Sequence, residues 1–242
     1  MTVYDGKRVL CIAPCYNELH KIDRVVASID RSVVDEVLVV DDGSDDGSPQ
    51  TAEKRGATVI KLGKTLGVGV ALRQGIEYGV AHGFDILVVI AGNNKDDPQE
   101  IIRLLSPITR EDYDFVQGSR FTKGGRHGEM PFYRIVATRF LHPLLFSIVS
   151  GRWVTESTNG FRAFKASLFQ DRRINIWQPW LDHYELEPYL YYKVITCGYR
   201  TKEVPVSKIY PPKQLGYTKM KPIVGWWSIL RPLFLLGLGL RK

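Results

Sequence analysis

The run Asp41–Ser48, DDGSDDGS, sets adjacent carboxylates before a tight glycine turn. Carboxylates so placed accept hydrogen bonds from the N–H groups of a base or the hydroxyls of a ribose. The same stretch matches a calcium loop, with Asp42, Ser44, Asp46, Gly47 and Glu53 in EF-hand register. Its context argues against calcium: an EF-hand loop joins two helices, whereas EVLVV precedes this one and Pro49 interrupts it. A purely structural acidic turn is the remaining reading. Upstream, Ala13–Glu18 reads APCYNE, where Pro14 fixes a turn and Asn17 and Glu18 suit the cap of a following helix. Downstream, IAGNNKDDP (Ile90–Pro98) contains Asp97, a suitable N-cap for a helix beginning at Pro98. His20, His82, His127, His142 and His183 show no metal-binding spacing, and no G-x-S-x-G elbow or G-x-x-x-x-G-K-[ST] loop is present.

Positioning such groups requires a scaffold, and the first half of the chain supplies the pattern of one. Short β-branched runs at Arg8–Ala13, Glu36–Asp41, Thr58–Lys61, Asp85–Ala91 and Asp114–Gln117 alternate with helical patterns over Glu18–Asp30, Pro49–Arg55, Leu66–Ala81 and Pro98–Leu105. That alternation predicts an α/β fold with a mainly parallel sheet and helices on both faces. Ligands of such sheets bind beyond the carboxyl ends of the strands. The chemistry is therefore expected at Pro14–Glu18, Asp41–Ser48, Ala91–Asp97 and Gln117–Arg120. After residue 120 comes a basic glycine-rich loop, FTKGGRHGEMP, then a long apolar helix candidate, Phe132–Ser150, containing Pro143. No linker or internal repeat divides the chain, so residues 1–222 read as one domain with an elaborated C-terminal half.

Composition narrows the partners. Lys and Arg number 33 against 26 Asp and Glu, a formal charge of +7, which suits a nucleotide, a phosphorylated lipid, a membrane surface or a nucleic acid. Nucleic acid is disfavoured because no RNP or helix-turn-helix pattern accompanies the charge. Cys11, Cys15 and Cys197 form neither a C-x-x-C pair nor an even set, which points to a reducing, cytoplasmic setting. Asp5, Lys7 and Arg8 interrupt any N-terminal signal-like run. Residues 223–242 contain IVGWWSILRPLFLLGLGL, near the lower length of a membrane span of about 18 to 20 residues. Arg231 at its middle would cost roughly 3 kcal/mol in a bilayer, and Pro232 would kink a continuous helix. Trp226, Trp227, Arg241 and Lys242 suit an interfacial element. The expectation is a segment peripheral on the membrane, with packing on the protein body as the alternative.

The strand-end segments, P-x-Y-N-E followed by D-D-G-S, resemble those of the family 2 glycosyltransferases, and among them the dolichol-phosphate mannose synthase and polyprenyl-phosphate group. The resemblance continues through G-x-G-x-A-x-R-x-G (Gly67, Gly69, Ala71, Arg73, Gly75) and GSR (Gly118–Arg120). ESTNGFRAF (Glu156–Phe164) is similar to the family's D-x-T-S-G-F-R-A-F, and EVPV (Glu203–Val206) with KQLGYTK (Lys213–Lys219) resembles its E-V-P and R-x-x-G-x-S-K run. Taken in this order, these segments imply a GT-A-like, nucleotide-binding fold. The implied activity is inverting transfer of a sugar from a nucleotide-sugar donor to a dolichyl or undecaprenyl phosphate. Pro14, Tyr16, Glu18 and Asp42 become nucleoside contacts, and Asn93, Lys95, Lys213 and Lys219 handle the diphosphate. Transfer to a saccharide or small-molecule hydroxyl, and a catalytically silent nucleotide-sugar binding protein, are the alternatives.

One departure falls on the metal site. The family places an Asp-x-Asp at the end of the fourth strand, where Mg2+ or Mn2+ binds the donor diphosphate, but Ala91, Gly92 and Asn93 stand there in this chain. Asn93 offers only a neutral oxygen, and a hard cation prefers carboxylates. Three explanations remain open: weakened metal binding through Asn93 with Asp96 or Asp97, replacement of the ion by the Lys95 ammonium, or loss of activity. For the acceptor, the resemblance implies Arg120, Arg134 and Thr138 around a phosphate; Arg134 and Thr138, four apart, share a helix face. A hydroxyl acceptor would need a carboxylate base, for which Glu156, Asp182, Glu185 and Glu187 are candidates.

Overall fold

The computed structural model describes residues 6–210 and 224–241 of the 242-residue chain. The predicted alternation forms β1 (Val9–Cys15), α1 (Leu19–Ser28), β2 (Glu36–Asp41), α2 (Ser48–Lys54), β3 (Thr58–Lys61), α3 (Val68–Ala81) and β4 (Ile86–Val89). A 3-10 turn, Pro98–Glu100, leads into α4 (Ile101–Arg110), and β5 (Phe115–Ser119) follows. Beyond it lie β6 (Arg126–His127), α5 (Phe132–Val136), a π-helical turn (Ala137–Leu141), α6 (His142–Ser150), β7 (Arg162–Lys165), α7 (Leu186–Thr196), β8 (Thr201–Pro205), β9 (Ser207–Lys208) and α8 (Val224–Gly237).

Seven strands make one sheet in the order β3-β2-β1-β4-β7-β5-β8, while β6 and β9 pair separately. All neighbours in the large sheet run parallel except at β7, which is antiparallel to both β4 and β5. Alternate residues of β1 feed opposite cores. Val9, Cys11 and Ala13 pack with Ile22, Val25, Leu104 and Ile108 from α1 and α4. Leu10 and Ile12 pack with Leu72, Ile76, Phe146, Leu190 and Leu233 from α3, α6, α7 and α8. Helices thus cover both faces, and β1, β2, β4 and β5 read as apolar runs because neither side meets water, whereas the edge strand β3 is partly exposed.

The chain winds outward from β1 to β3 on one side and from β4 on the other. The carboxyl ends of β1 and β4 therefore flank the switch point where such sheets open a crevice for ligand. P-x-Y-N-E leaves one lip and the Ala91–Asp97 loop leaves the other. Gly92 seals the junction, since a Cβ there would lie 3.0 Å from the Pro14 carbonyl oxygen. Gly69, near the start of α3, permits a closer approach still: a Cβ would meet the Leu181 carbonyl oxygen at 2.0 Å.

In the second half one apolar helix departs from expectation and another follows it. The helix through residues 224–237 continues past Pro232, with Leu233 and Leu236 buried and Arg231 3.7 Å from Glu185. His142 of α6 meets the α8 backbone at the Ile229 carbonyl, 3.2 Å away. The segment thus packs one face on α6 and α7. The predicted helix Phe132–Ser150 is continuous and, at 19 residues, is long and apolar enough by length and composition to cross a membrane. It buries Thr138, His142 and Phe146 against the body and leaves Phe132, Tyr133, Phe140, Leu144 and Ile148 exposed.

Candidate active site

The two strand-end loops are stitched into one wall. The Asn17 amide donates to Ser44 Oγ at 2.8 Å, and the Asp45 amide donates to Asn17 Oδ1 at 3.0 Å. Asn17 reaches this position in the left-handed region, at φ 49°. The expected self-capping of α1 is supplied instead from the neighbouring loop: the Glu18 amide donates to Ser48 Oγ and the Leu19 amide to Asp46 Oδ2. Burial opposes the Asp46 charge, yet the hydrogen bonds from Ser48 and Leu19 hold its carboxyl below the usual range. Ser44 and Asp46 are therefore structural members of the wall. Tyr16 is 39% exposed, and Glu18 Oε2 meets Lys21 Nζ at 2.7 Å.

Asp42, expected to face a nucleoside, turns its carboxylate to the loop that opens α3. Its oxygens accept from the Leu66 amide at 2.6 Å and the Gly67 amide at 3.0 Å. Asp42 is buried and ties the second strand to the third helix, so its first duty is shaping the wall.

At the end of β4, Asn93 Oδ1 accepts from the Lys95 amide at 3.2 Å, which folds the loop back on itself. Lys95 is only 9% exposed, and its Nζ lies 4.9 Å from the centre of the Tyr210 ring. Burial pushes its ammonium down to about 8, and Lys208, Arg134 and Lys21 push the same way against Glu18. Asp97 Oδ1 caps the Gln99 amide at 3.0 Å, as its N-cap position predicts.

Asp96, expected as a weak metal ligand, is already engaged by another side chain. Asp96 is buried, and both its oxygens hold Lys208 Nζ, at 2.6 and 2.8 Å. Asn93 supplies a neutral oxygen already bonded to an amide, and Ala91 supplies none. No group of three or more potential His, Cys, Asp or Glu ligands occurs among the described residues. Next to a buried ammonium, this donor set does not fit Mg2+ or Mn2+.

Of the three acceptor residues, Arg120 differs most from expectation. It is 4% exposed and forks onto Glu156, Nε to Oε2 at 2.7 Å and Nη2 to Oε1 at 2.9 Å, with Thr158 Oγ1 at 3.1 Å. Burial works against its charge, but the Glu156 carboxylate raises the guanidinium above its ordinary value. The arginine expected to grip a phosphate is thus the buried partner of an internal ion pair. Its remaining nitrogen, Nη1, donates to Tyr210 Oη at 3.4 Å. Arg134 approaches the same tyrosine from α5, with its guanidinium 5.6 Å from the ring centre. Thr138 donates its hydroxyl to the Arg134 carbonyl at 2.8 Å within the π-helical turn, a bond that fixes the backbone carrying Arg134.

Tyr210 is therefore the hub of the basic cluster, facing Lys95, Arg120 and Arg134. Sequence reasoning missed it, although it stands just before the KQLGYTK run. Lys213 and Lys219 lie outside the described residues. Among the candidate bases, Glu156 is paired with Arg120, Asp182 with Arg73, and Glu187 with Arg162. Glu185 is held more loosely, its Oε1 3.7 Å from Arg231; burial raises its carboxyl, and its Oε2 has no hydrogen-bond partner among the described residues.

A family model described as Glycosyl transferase family 2 matches residues 11–181, a span that contains the wall, the β4 loop, Arg120 and Arg134. This chain belongs to glycosyltransferase family 2. Two relatives extend the match over nearly all of it. An undecaprenyl-phosphate mannosyltransferase of Micrococcus luteus is 31% identical over 88% of this chain and 87% of that protein. A dolichyl-phosphate hexose transferase of Haloferax volcanii is 31% identical over 95% and 93%. In fold, this glycosyltransferase resembles glucosyl-3-phosphoglycerate synthase from Mycobacterium tuberculosis, solved with Mn2+, UDP and phosphoglyceric acid. The TM-score is 0.68 and identity 21%, over 94% of this chain and 79% of that one. The mostly parallel sheet is thus that of a GT-A glycosyltransferase.

Proposed function

We propose that this glycosyltransferase moves a sugar from a nucleotide-sugar donor to a polyprenyl phosphate at the cytoplasmic face of a membrane. The observation that carries the reading is an adjacency: the helix that brings Arg134 to the Tyr210 cluster exposes Phe132, Tyr133 and Phe140 on its other side. A lipid phosphate needs both a cationic seat for its head and an apolar route for its tail. The names of the two relatives supply the same acceptor class independently.

In this reading the donor base stacks near Tyr16, with Pro14, Glu18 and the Asp42 wall around it, and the diphosphate reaches toward Asn93 and Lys95. Lys213 and Lys219 are assigned to the diphosphate by their motif alone. Arg134 receives the acceptor phosphate, Thr138 fixes the turn that carries it, and Arg120 holds Tyr210 in place. One phosphate oxygen attacks the anomeric carbon while the bond from that carbon to the diphosphate oxygen breaks, its electron pair staying on the departing nucleoside diphosphate. A single displacement inverts the anomeric centre. The acceptor is already anionic at neutral pH, with a second pKa near ~6, so no base is needed. Catalysis then consists of alignment and charge stabilisation.

The protein would lie on the membrane by the exposed face of Phe132–Ser150 and by Trp227 and Phe234 of α8. Arg134→Ala tests the acceptor assignment. It should raise KM for polyprenyl phosphate about 10- to 100-fold, the loss of one charged hydrogen bond, and leave nucleoside diphosphate binding intact. Transfer to a soluble hydroxyl acceptor that ignores Arg134→Ala but is lost in Glu185→Gln would favour the alternative, in which Glu185 serves as base.

A further inference from the structure

The disagreement between this chain and its family lies at the end of β4. A divalent cation brought there would meet the neutral Asn93 oxygen, an aspartate already holding Lys208, and the buried Lys95 ammonium. Building on the donor reading above, we propose that the Lys95 ammonium takes the place of the divalent cation, so that this enzyme binds its donor and transfers sugar without metal.

Position supports the assignment. Lys95 follows β4 by a few residues and so stands at the switch point, on the lip opposite P-x-Y-N-E. Its electrostatic neighbours are Glu18, a candidate nucleoside contact, and Arg134, the candidate acceptor contact, with which it shares the Tyr210 ring. A group between donor and acceptor is where charge on the leaving diphosphate develops. The loop is built to hold it there: the Lys95 amide donates to Asn93, its carbonyl accepts from the Ile209 amide at 2.7 Å, and Gly92 abuts Pro14.

The chemistry fits as well. An ammonium is a compact charge with three donors, which suits oxygens of two adjacent phosphates without demanding octahedral geometry. In a site shielded from water its effect on the developing charge is strengthened. The balance of the step is unchanged: the bond from the anomeric carbon to the diphosphate oxygen breaks, its electron pair stays on the diphosphate, and Lys95 keeps its proton throughout. Lys208, by holding Asp96, keeps that carboxylate from competing with the diphosphate.

Calorimetry with UDP, GDP and dTDP, each in excess EDTA or in saturating Mn2+, tests the proposal on the full chain. The diphosphate that binds should do so equally well in both buffers. Lys95→Ala and Lys95→Gln should weaken it about 10- to 100-fold, and Lys95→Arg should retain most of the affinity. The triple change Ala91→Asp, Asn93→Asp and Lys95→Gln should restore binding only with Mn2+. Wild-type binding that EDTA abolishes and Mn2+ restores overturns the proposal while leaving the donor reading intact. So does undiminished binding by folded Lys95→Ala and Lys95→Gln, judged by wild-type melting curves. Absence of binding to all three diphosphates in both buffers overturns the donor reading and this proposal together.

Discussion

Glu156→Gln removes the negative half of the most deeply buried ion pair while preserving the shape of the side chain. In the native protein Glu156 is fully buried and Arg120 nearly so, and two hydrogen bonds of 2.7 and 2.9 Å join them. The substitution leaves a guanidinium in the interior without its counter-charge, a change that costs about 3–5 kcal/mol when one partner of a buried pair is lost. By contrast, removing Glu111 from its exposed pair with Lys202 should cost only about 0–1 kcal/mol. Urea denaturation followed by circular dichroism reads the difference as a lower midpoint at unchanged slope. The double variant Arg120→Met, Glu156→Leu removes both charges and should be more stable than Glu156→Gln alone, because no charge is left stranded. Because Arg120 Nη1 holds Tyr210 Oη, both variants should also lose transfer activity. A loss below about 1 kcal/mol for Glu156→Gln would refute the reasoning, since it is the value of a solvated pair.

Acidification should loosen the seat of α8. His142 is buried between Ser157 and the Ile229 carbonyl, and burial pushes its ring down to about 4 from an ordinary 6.5. The unfolded chain therefore takes up the proton first. Stability is intact above about pH 6.5 and falls as pH drops toward about 4, by at most about 3 kcal/mol from this group. His142→Gln should flatten that limb of a plot of Tm against pH; an unchanged slope would contradict the assignment. Phe140→Asp and Ile148→Asp test the exposed helix face. Each should reduce cosedimentation with phosphatidylglycerol and phosphatidylcholine vesicles by at least about 10-fold, from the loss of one inserted apolar side chain, with no change in Tm. Equal cosedimentation of variants and wild type would exclude this face as the membrane contact.

The parallel half of the fold was legible because each β-branched run is short, those of β1, β2, β4 and β5 are buried on both faces, and polar or glycine-rich sequence closes them. Beyond residue 120 that correspondence breaks down. FRAFK has the composition of a strand, but nothing local says that β7 enters the sheet reversed between β4 and β5. Local reading also missed the partners that came from far along the chain. Asn17 and Glu18 have the residue types of an N-cap, yet Asp46 and Ser48 do the capping from the next loop. Arg120 has the type and motif of a phosphate ligand, and only the fold shows Glu156, 36 residues away, meeting it with both oxygens. Asp96 resembles a metal ligand until Lys208 arrives across 112 residues. Tyr210 carried no signal of its own beyond its place beside a basic run. The Ala91 and Asn93 departure, by contrast, was visible in the sequence, because it is a matter of residue type rather than of partners.

Incubation of the purified chain with radiolabelled UDP-, GDP- and dTDP-sugars and polyprenyl phosphate tests the central claim most directly. One donor should yield an organic-soluble sugar-phosphate lipid whose anomeric configuration is opposite to that of the donor, formed at full rate in excess EDTA. No lipid product from any donor, with or without Mn2+, would contradict it.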